Sequence, residues 1–182
     1  MYGLIHKAIQ GCIQGAHGEE GWARVAARAG VNSSAFLSFE SYPDEVTVGL
    51  LVAASEEFEQ PLTELLQDFG RYWVLNTARV EYGPIFEFGG TNFVEFLDNL
   101  DAMHEQVALS FSNLQQPSFA VEKKADGRII LHYKSIREGL SDFVVGLLEG
   151  LSEHFKQPVE IELIEAKADG ADHDVFELSL PA

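Results

Sequence analysis

A histidine set among hydrocarbon side chains is the first residue of chemical interest. His104 follows Leu100 and Met103 and precedes Val107, so it shares the apolar stripe of a predicted helix and has no water to bond. Two chemistries meet that need. The ring can bond a backbone carbonyl and simply fill the core, or it can aim a neutral imidazole nitrogen into a cavity as ligand to a metal or a haem iron. Spacing alone leaves both open. Further on, strict alternation puts Ile129, Leu131, Tyr133, Ser135 and Arg137 on one face of a predicted strand, where apolar groups give way to a phenol, a hydroxyl and a guanidinium. Spaced about 7 Å per two residues, these donors can converge on carboxylates, the arginine supplying a planar fork. The same pattern also fits an exposed strand end whose arginine pairs with a surface acid.

Stepping outward from these residues, the chain divides into a helical first half and a strand-rich second half. Three-and-four spacing predicts helices over residues 2–14 and 19–29, with Gly15 and Gly18 between them and Gly30 as a C-terminal stop. A loop follows, and then helices over 46–57 and 62–73, with Pro61 at the second one's start. The Gly83-Pro84 and Gly89-Gly90 pairs predict irregular chain over 79–90. Thr91 and Asn92 are good caps for one long helix from Phe93 to Val107, the one that carries His104. Strands are predicted over 118–121 and 128–137 about an Asp126-Gly127 turn, a helix over 140–154, and strands over 159–166 and 175–180 joined by Ala168-Asp169-Gly170. The expected fold is α+β, with an antiparallel four-stranded sheet. A single domain spans 1–182, its helical subregion covering about 1–60 and the subregion of histidine helix and sheet about 61–182.

Composition narrows the functions this fold can serve. With 29 Asp and Glu against 12 Lys and Arg, the net charge is −17, a field that repels nucleic acid and anionic lipid. No stretch approaches the roughly 20 apolar residues of a membrane span, and the start lacks a secretory signal, so a soluble, cytoplasmic protein is expected. Cys12 is the single cysteine, which excludes an internal disulfide and cysteine-cluster metal sites; it reads as a buried helix residue. His6, His17, His132, His154 and His173 show no two-histidine metal spacing, and Asp172-His173-Asp174 reads as a solvated turn, so no second metal is expected. No nucleophile motif, dinucleotide fingerprint or phosphate loop is present.

Taken together, MYGLIHKAIQ at the start, FGRYWV at 69–74, FLDNLDAMHEQVALSF at 96–111, PSF at 117–119, YKSIR at 133–137 and GLSDFVVGLLEGL at 139–151 closely resemble the bacterial H-NOX proteins. These are the haem nitric oxide/oxygen binding domains related to the sensor domain of soluble guanylate cyclase. The resemblance covers essentially the whole chain. It implies haem b held between the helical half and the sheet, with His104 as proximal iron ligand and Tyr133, Ser135 and Arg137 binding the propionates. Pro117 matches the family proline that presses on the porphyrin. Ile5, Ile9, Trp73, Phe143 and Leu147 map onto the gas-binding side.

In oxygen-holding members a distal tyrosine, aligned with Phe143 here, donates a hydrogen bond to the bound gas. Phe143 cannot, so the resemblance implies binding of nitric oxide and carbon monoxide without stable oxygen binding. The indole N–H of Trp73 leaves room for an oxygen or redox sensor. A haem enzyme consuming nitric oxide would want a distal His or Arg, which this set lacks, and a pocket for an amphipathic carboxylate without haem is a further alternative. The expectation is a sensor rather than an enzyme. Nitric oxide would weaken the iron–His104 bond, and the signal would pass to a separate protein, in stand-alone relatives a sensor histidine kinase or a cyclic-di-GMP enzyme.

Overall fold

The computed structural model describes residues 1–32, 36–111 and 114–181. Helix α1 runs Gly3–Arg28 and is broken at Gly18, whose φ of 71° and ψ of 179° interrupt the helix where the sequence predicts two. Gly30, at φ 68°, takes the left-handed position past the helix end, and Val31 N–H bonds back to the Ala26 carbonyl at 3.0 Å. Part of the predicted loop after Gly30, Ser33 to Ala35, lies outside the described residues. Helices α2 (Asp44–Phe58) and α3 (Leu62–Tyr72) follow, with Pro43 and Pro61 at their N-caps. Apolar side chains from these three helices, among them Ile9, Val25, Leu50, Leu66 and Phe69, form one core.

The chain over 79–90 departs from the irregular loop predicted for it. Helix α3 runs without a break into a π-helical segment, Trp73–Ala78, and then into short helices α4 (Arg79–Glu81) and α5 (Gly83–Phe88). Pro84 sits in the first turn of α5, where its missing N–H has no intrahelical partner to lose, so Gly83-Pro84 starts a helix rather than breaking one. The long helix predicted from Phe93 is also two, α6 (Phe93–Asp98) and α7 (Leu100–Ala108). Asn92 caps the first by accepting from Glu95 N–H at 3.0 Å, and Asn99, at φ −99° and ψ 1°, is the break. Asn99 donates its side-chain amide to the Gly89 carbonyl at 3.0 Å, a local bond that competes with helical continuation.

The sheet has the order β1-β2-β4-β3, all antiparallel, from β1 (Ser118–Lys123), β2 (Ile129–Lys134), β3 (Glu160–Glu165) and β4 (Asp174–Ser179). Helix α8 (Ser141–Phe155) lies between β2 and β3 in sequence. Phe119, Leu131, Tyr133, Phe176 and Leu178 join Val144, Leu148 and Leu151 of α8 and Phe93 and Phe96 of α6 in a second core. Helices α3 and α8 cross closely because glycines face backbone: a methyl group on Gly70 would strike the Phe143 carbonyl oxygen, and one on Gly146 the Gln67 carbonyl oxygen. An α+β fold with a helical first half and a four-stranded antiparallel sheet is therefore what the chain adopts.

Candidate functional site

Between the two cores lies a cavity of about 450 Å³, lined chiefly by apolar side chains. His104 is in its wall. The imidazole Nδ1 bonds the Leu100 carbonyl of its own helix at 2.8 Å, and the ring stacks on Phe119 at 5.6 Å with 16° between planes. One turn earlier, Asp101 accepts from Phe119 N–H at 2.7 Å and from Ser118 Oγ at 3.0 Å, which fastens α7 to the start of β1. These contacts fix the ring's orientation and leave Nε2 without a protein partner among the described residues. Burial lowers the imidazole's pKa, against a smaller opposite effect of the Leu100 carbonyl and Asp101, so the ring is neutral and carries a lone pair, as a metal ligand requires. The two chemistries open for this residue are both present: one nitrogen satisfies the backbone and the other is free for a ligand.

Tyr133, Ser135 and Arg137 line the same cavity, although the strand that was predicted to carry all three ends at Lys134. Past the strand end, Arg137 N–H bonds Ser135 Oγ at 3.1 Å, forming a tight local turn. Arg137 then reaches across the fold: Nε and Nη2 donate to Asp44 at 2.8 and 3.5 Å, and Nη1 to the Gln115 carbonyl at 3.1 Å. Asp44 also takes the Met1 ammonium at 2.6 Å. Burial alone would raise the Asp44 pKa, but the ammonium and Arg137 outweigh it and hold the carboxyl below its usual range. Asp44 went unseen in the sequence because its partner is 93 residues away.

Another group of wall residues comes from different elements. Ile5 of α1, Trp73 of the π-helical segment, and Phe143 and Leu147 of α8 line the cavity, as does Pro117 before β1. Phe143 stacks with Phe69 at 5.1 Å, and Trp73 meets the same ring edge-on at 6.4 Å. Ile9, grouped with these by resemblance, is elsewhere. One turn further along α1 than Ile5, it is 2% exposed in the helical core and borders a second hollow with Cys12 and Tyr72. Burial pushes the Cys12 thiol up to about 12, so it is no ready nucleophile. Met1, Tyr2, Tyr82 and Met103 also line the main cavity, and nothing in their spacing marks them out.

Residues 2–163 match the family described as Haem-NO-binding. The chain belongs to the haem-NO-binding family. Members of this family, the H-NOX domains, are haem-binding gas-sensor domains related to the sensor domain of soluble guanylate cyclase, and they signal to partner enzymes such as cyclases. Soluble guanylate cyclase gcy-31 of Caenorhabditis elegans is 29% identical over 170 residues, covering 93% of this chain and 24% of that protein. The rat guanylate cyclase soluble subunit beta-2 is 40% identical over 91 residues, 50% of this chain and 13% of its own length. The chain thus spans about a quarter or less of the curated relatives it matches. An H-NOX protein from S. oneidensis in the Fe(II)NO ligation state superposes with a TM-score of 0.89 at 20% identity, covering 100% of both chains. Unliganded Fe(II) H-NOX from K. algicida gives 0.85 at 21%, covering 100% of this chain and 97% of the other.

The residues of this H-NOX domain fit the family's haem. A neutral imidazole, one of whose nitrogens has no protein partner among the described residues, stands in a chiefly apolar wall, and the Arg137 guanidinium already grips one carboxylate, that of Asp44. Of the lining residues, His104 could hold an iron, and Tyr133, Ser135 and Arg137 could hold carboxylates. Among the described residues no cluster of three or more His, Cys, Asp or Glu offers an alternative metal centre, and no helix is long and apolar enough to cross a membrane.

Proposed function

We propose that this H-NOX domain is a nitric oxide sensor, not an enzyme, which binds nitric oxide and carbon monoxide, excludes oxygen, and regulates a separate signalling protein. The reading rests on one observation: a His104 ring whose Nδ1 is tied to its own helix and whose Nε2 faces an apolar cavity. Haem b, when bound there, supplies a ferrous iron able to take up diatomic gases. His104 would hold the iron, and Arg137, Ser135 and Tyr133 would position the group by its carboxylates. Phe143 and Leu147 offer no hydrogen bond to a bound gas; oxygen, the most polarised of the three, loses most by that.

Because Nδ1 is tied to the Leu100 carbonyl of its own helix, a shift of the His104 ring would carry α7 with it, and Asp101, bonded to Ser118 and Phe119, would pass that shift to β1, giving two states whose populations the gas would shift. A sensor histidine kinase or a cyclic-di-GMP enzyme is the proposed partner. The indole N–H of Trp73, which shares the wall, supports a second reading as an oxygen or redox sensor. The absorption spectrum of the reduced protein separates the two. An oxygen-excluding sensor keeps its spectrum in air and changes with nitric oxide. A stable change in air overturns the Phe143 argument.

A further inference from the structure

His132 and His173 lie 41 residues apart, and the fold brings them into contact far from any motif. His132 is on β2, opposite Ala120 of β1 and Val175 of β4, on the face turned away from Leu131 and Tyr133. His173 precedes β4. His132 Nδ1 and His173 Nε2 are 2.9 Å apart, and His173 Nδ1 is 3.1 Å from Asp172 Oδ2. The carboxylate sets the tautomer: His173 Nδ1–H donates to Asp172, Nε2 therefore carries the lone pair, and His132 supplies the one proton the two rings share.

We infer that this pair binds a late first-row divalent transition ion, copper(II) foremost, which displaces the shared proton and lies beside the N···N line. Two metal–nitrogen bonds of about 2.0–2.1 Å meeting at a right angle hold their nitrogens about 2.9 Å apart, the separation already present, so the two rings, 47° apart in plane, need only turn until both nitrogens point to the ion rather than to each other. The proton displaced passes to solvent. Asp172 then orients the His173 ring from its far nitrogen, as outer carboxylates do for metal-bound imidazoles. Glu122, two residues along β1 from Ala120 opposite His132, lies on the same face of the sheet, and the net charge of −17 concentrates cations around the chain. Among the described residues no third His, Cys, Asp or Glu completes the set, so water fills the other positions and the ion exchanges readily. Copper(II) is favoured over its neighbours by the general order of divalent affinities and by its preference for nitrogen ligands at right angles.

Titrating copper(II) against glycine as competitor into the haem-loaded protein tests the inference, followed by calorimetry and by electron paramagnetic resonance. One copper per chain is expected, split by two imidazole nitrogens. His173→Ala and His132→Ala should each weaken binding about a hundredfold and remove one nitrogen from the splitting, and Asp172→Asn should weaken it about tenfold. His17→Ala should change nothing. His173 lies outside the strands, so His173→Ala decides the matter even if His132→Ala fails to fold. Copper bound as tightly by His173→Ala as by the unaltered protein overturns the site, as does uptake by the unaltered protein no stronger than by a variant carrying both His132→Ala and His173→Ala.

Discussion

Replacing Arg137 by Ala should speed haem loss about thirtyfold, and the hydrogen-bond inventory of the guanidinium sets that figure. Of its five N–H donors, two go to Asp44 and one to the Gln115 carbonyl. Nη1 and Nη2 each keep one, an adjacent pair that matches a carboxylate's two oxygens. Each bond to a charged partner contributes about 1.5–3 kcal/mol. Half of the two-bond total is discounted because the ring of partners around Arg137 is partly solvated, Asp44 being 47% exposed against 20% for Arg137. About 2 kcal/mol remains, a factor of roughly 30. Transfer of haem to excess apomyoglobin gives the rate directly, and the reduced spectrum checks that the axial ligand is untouched. Arg137→Lys keeps the charge without the fork and should fall between. A loss rate within threefold of the unaltered protein for Arg137→Ala would refute the assignment of this residue to the carboxylates.

Phe143→Tyr should raise oxygen affinity about tenfold, the worth of one hydrogen bond of roughly 1–1.5 kcal/mol; oxygen titration of the reduced protein reads this, and an unchanged affinity means position 143 offers no donor to the gas. Asp101→Asn weakens two bonds that fasten α7 to β1 and should cost about 2 kcal/mol in urea unfolding, with the haem spectrum altered as well. His6 is fully buried, its Nε2 bonded to Thr47 at 2.8 Å and its Nδ1 unpartnered. Burial, helped by the N-terminal ammonium and opposed by Asp44, lowers its pKa from 6.5 to about 4. The unfolded chain therefore takes a proton below pH 6.5 that the folded one refuses, and stability falls by about 3 kcal/mol as pH drops from 6.5 to 4. His6→Gln should flatten the stability profile over that interval; a profile as steep as before would show that other groups set it.

Legibility in the sequence followed the range of the interactions. Helices held by near neighbours, such as 62–72 with its apolar stripe, and the hairpin about Asp126-Gly127 declare themselves locally. The division at Asn99 does not, because it depends on a bond to Gly89 ten residues back. Nor does helix α5, since a Gly-Pro pair reads equally as a breaker and as a helix start. In the site, His104, Tyr133 and Arg137 were visible because their polarity breaks an apolar rhythm. Asp44 and the His132–His173 contact were hidden by separations of 93 and 41 residues. Ile9 was misplaced for a simpler reason: it shares the side of α1 that carries Ile5, but the cavity ends before the next turn.

The π-helical segment lets the chain length vary beside the cavity without turning its wall. Trp73, Val74 and Ala78 all reach the wall from Trp73–Ala78, where each hydrogen bond spans one residue more than in an α-helix. Deleting a single exposed residue there, such as Asn76, would let an ordinary α-helix run through. Four α-helical steps of about 100° turn almost as far as five π-helical steps of about 80°, so Trp73 and Ala78 would still face one space. A gain or loss of one residue at this point would thus be absorbed by the helix and leave the cavity wall in place.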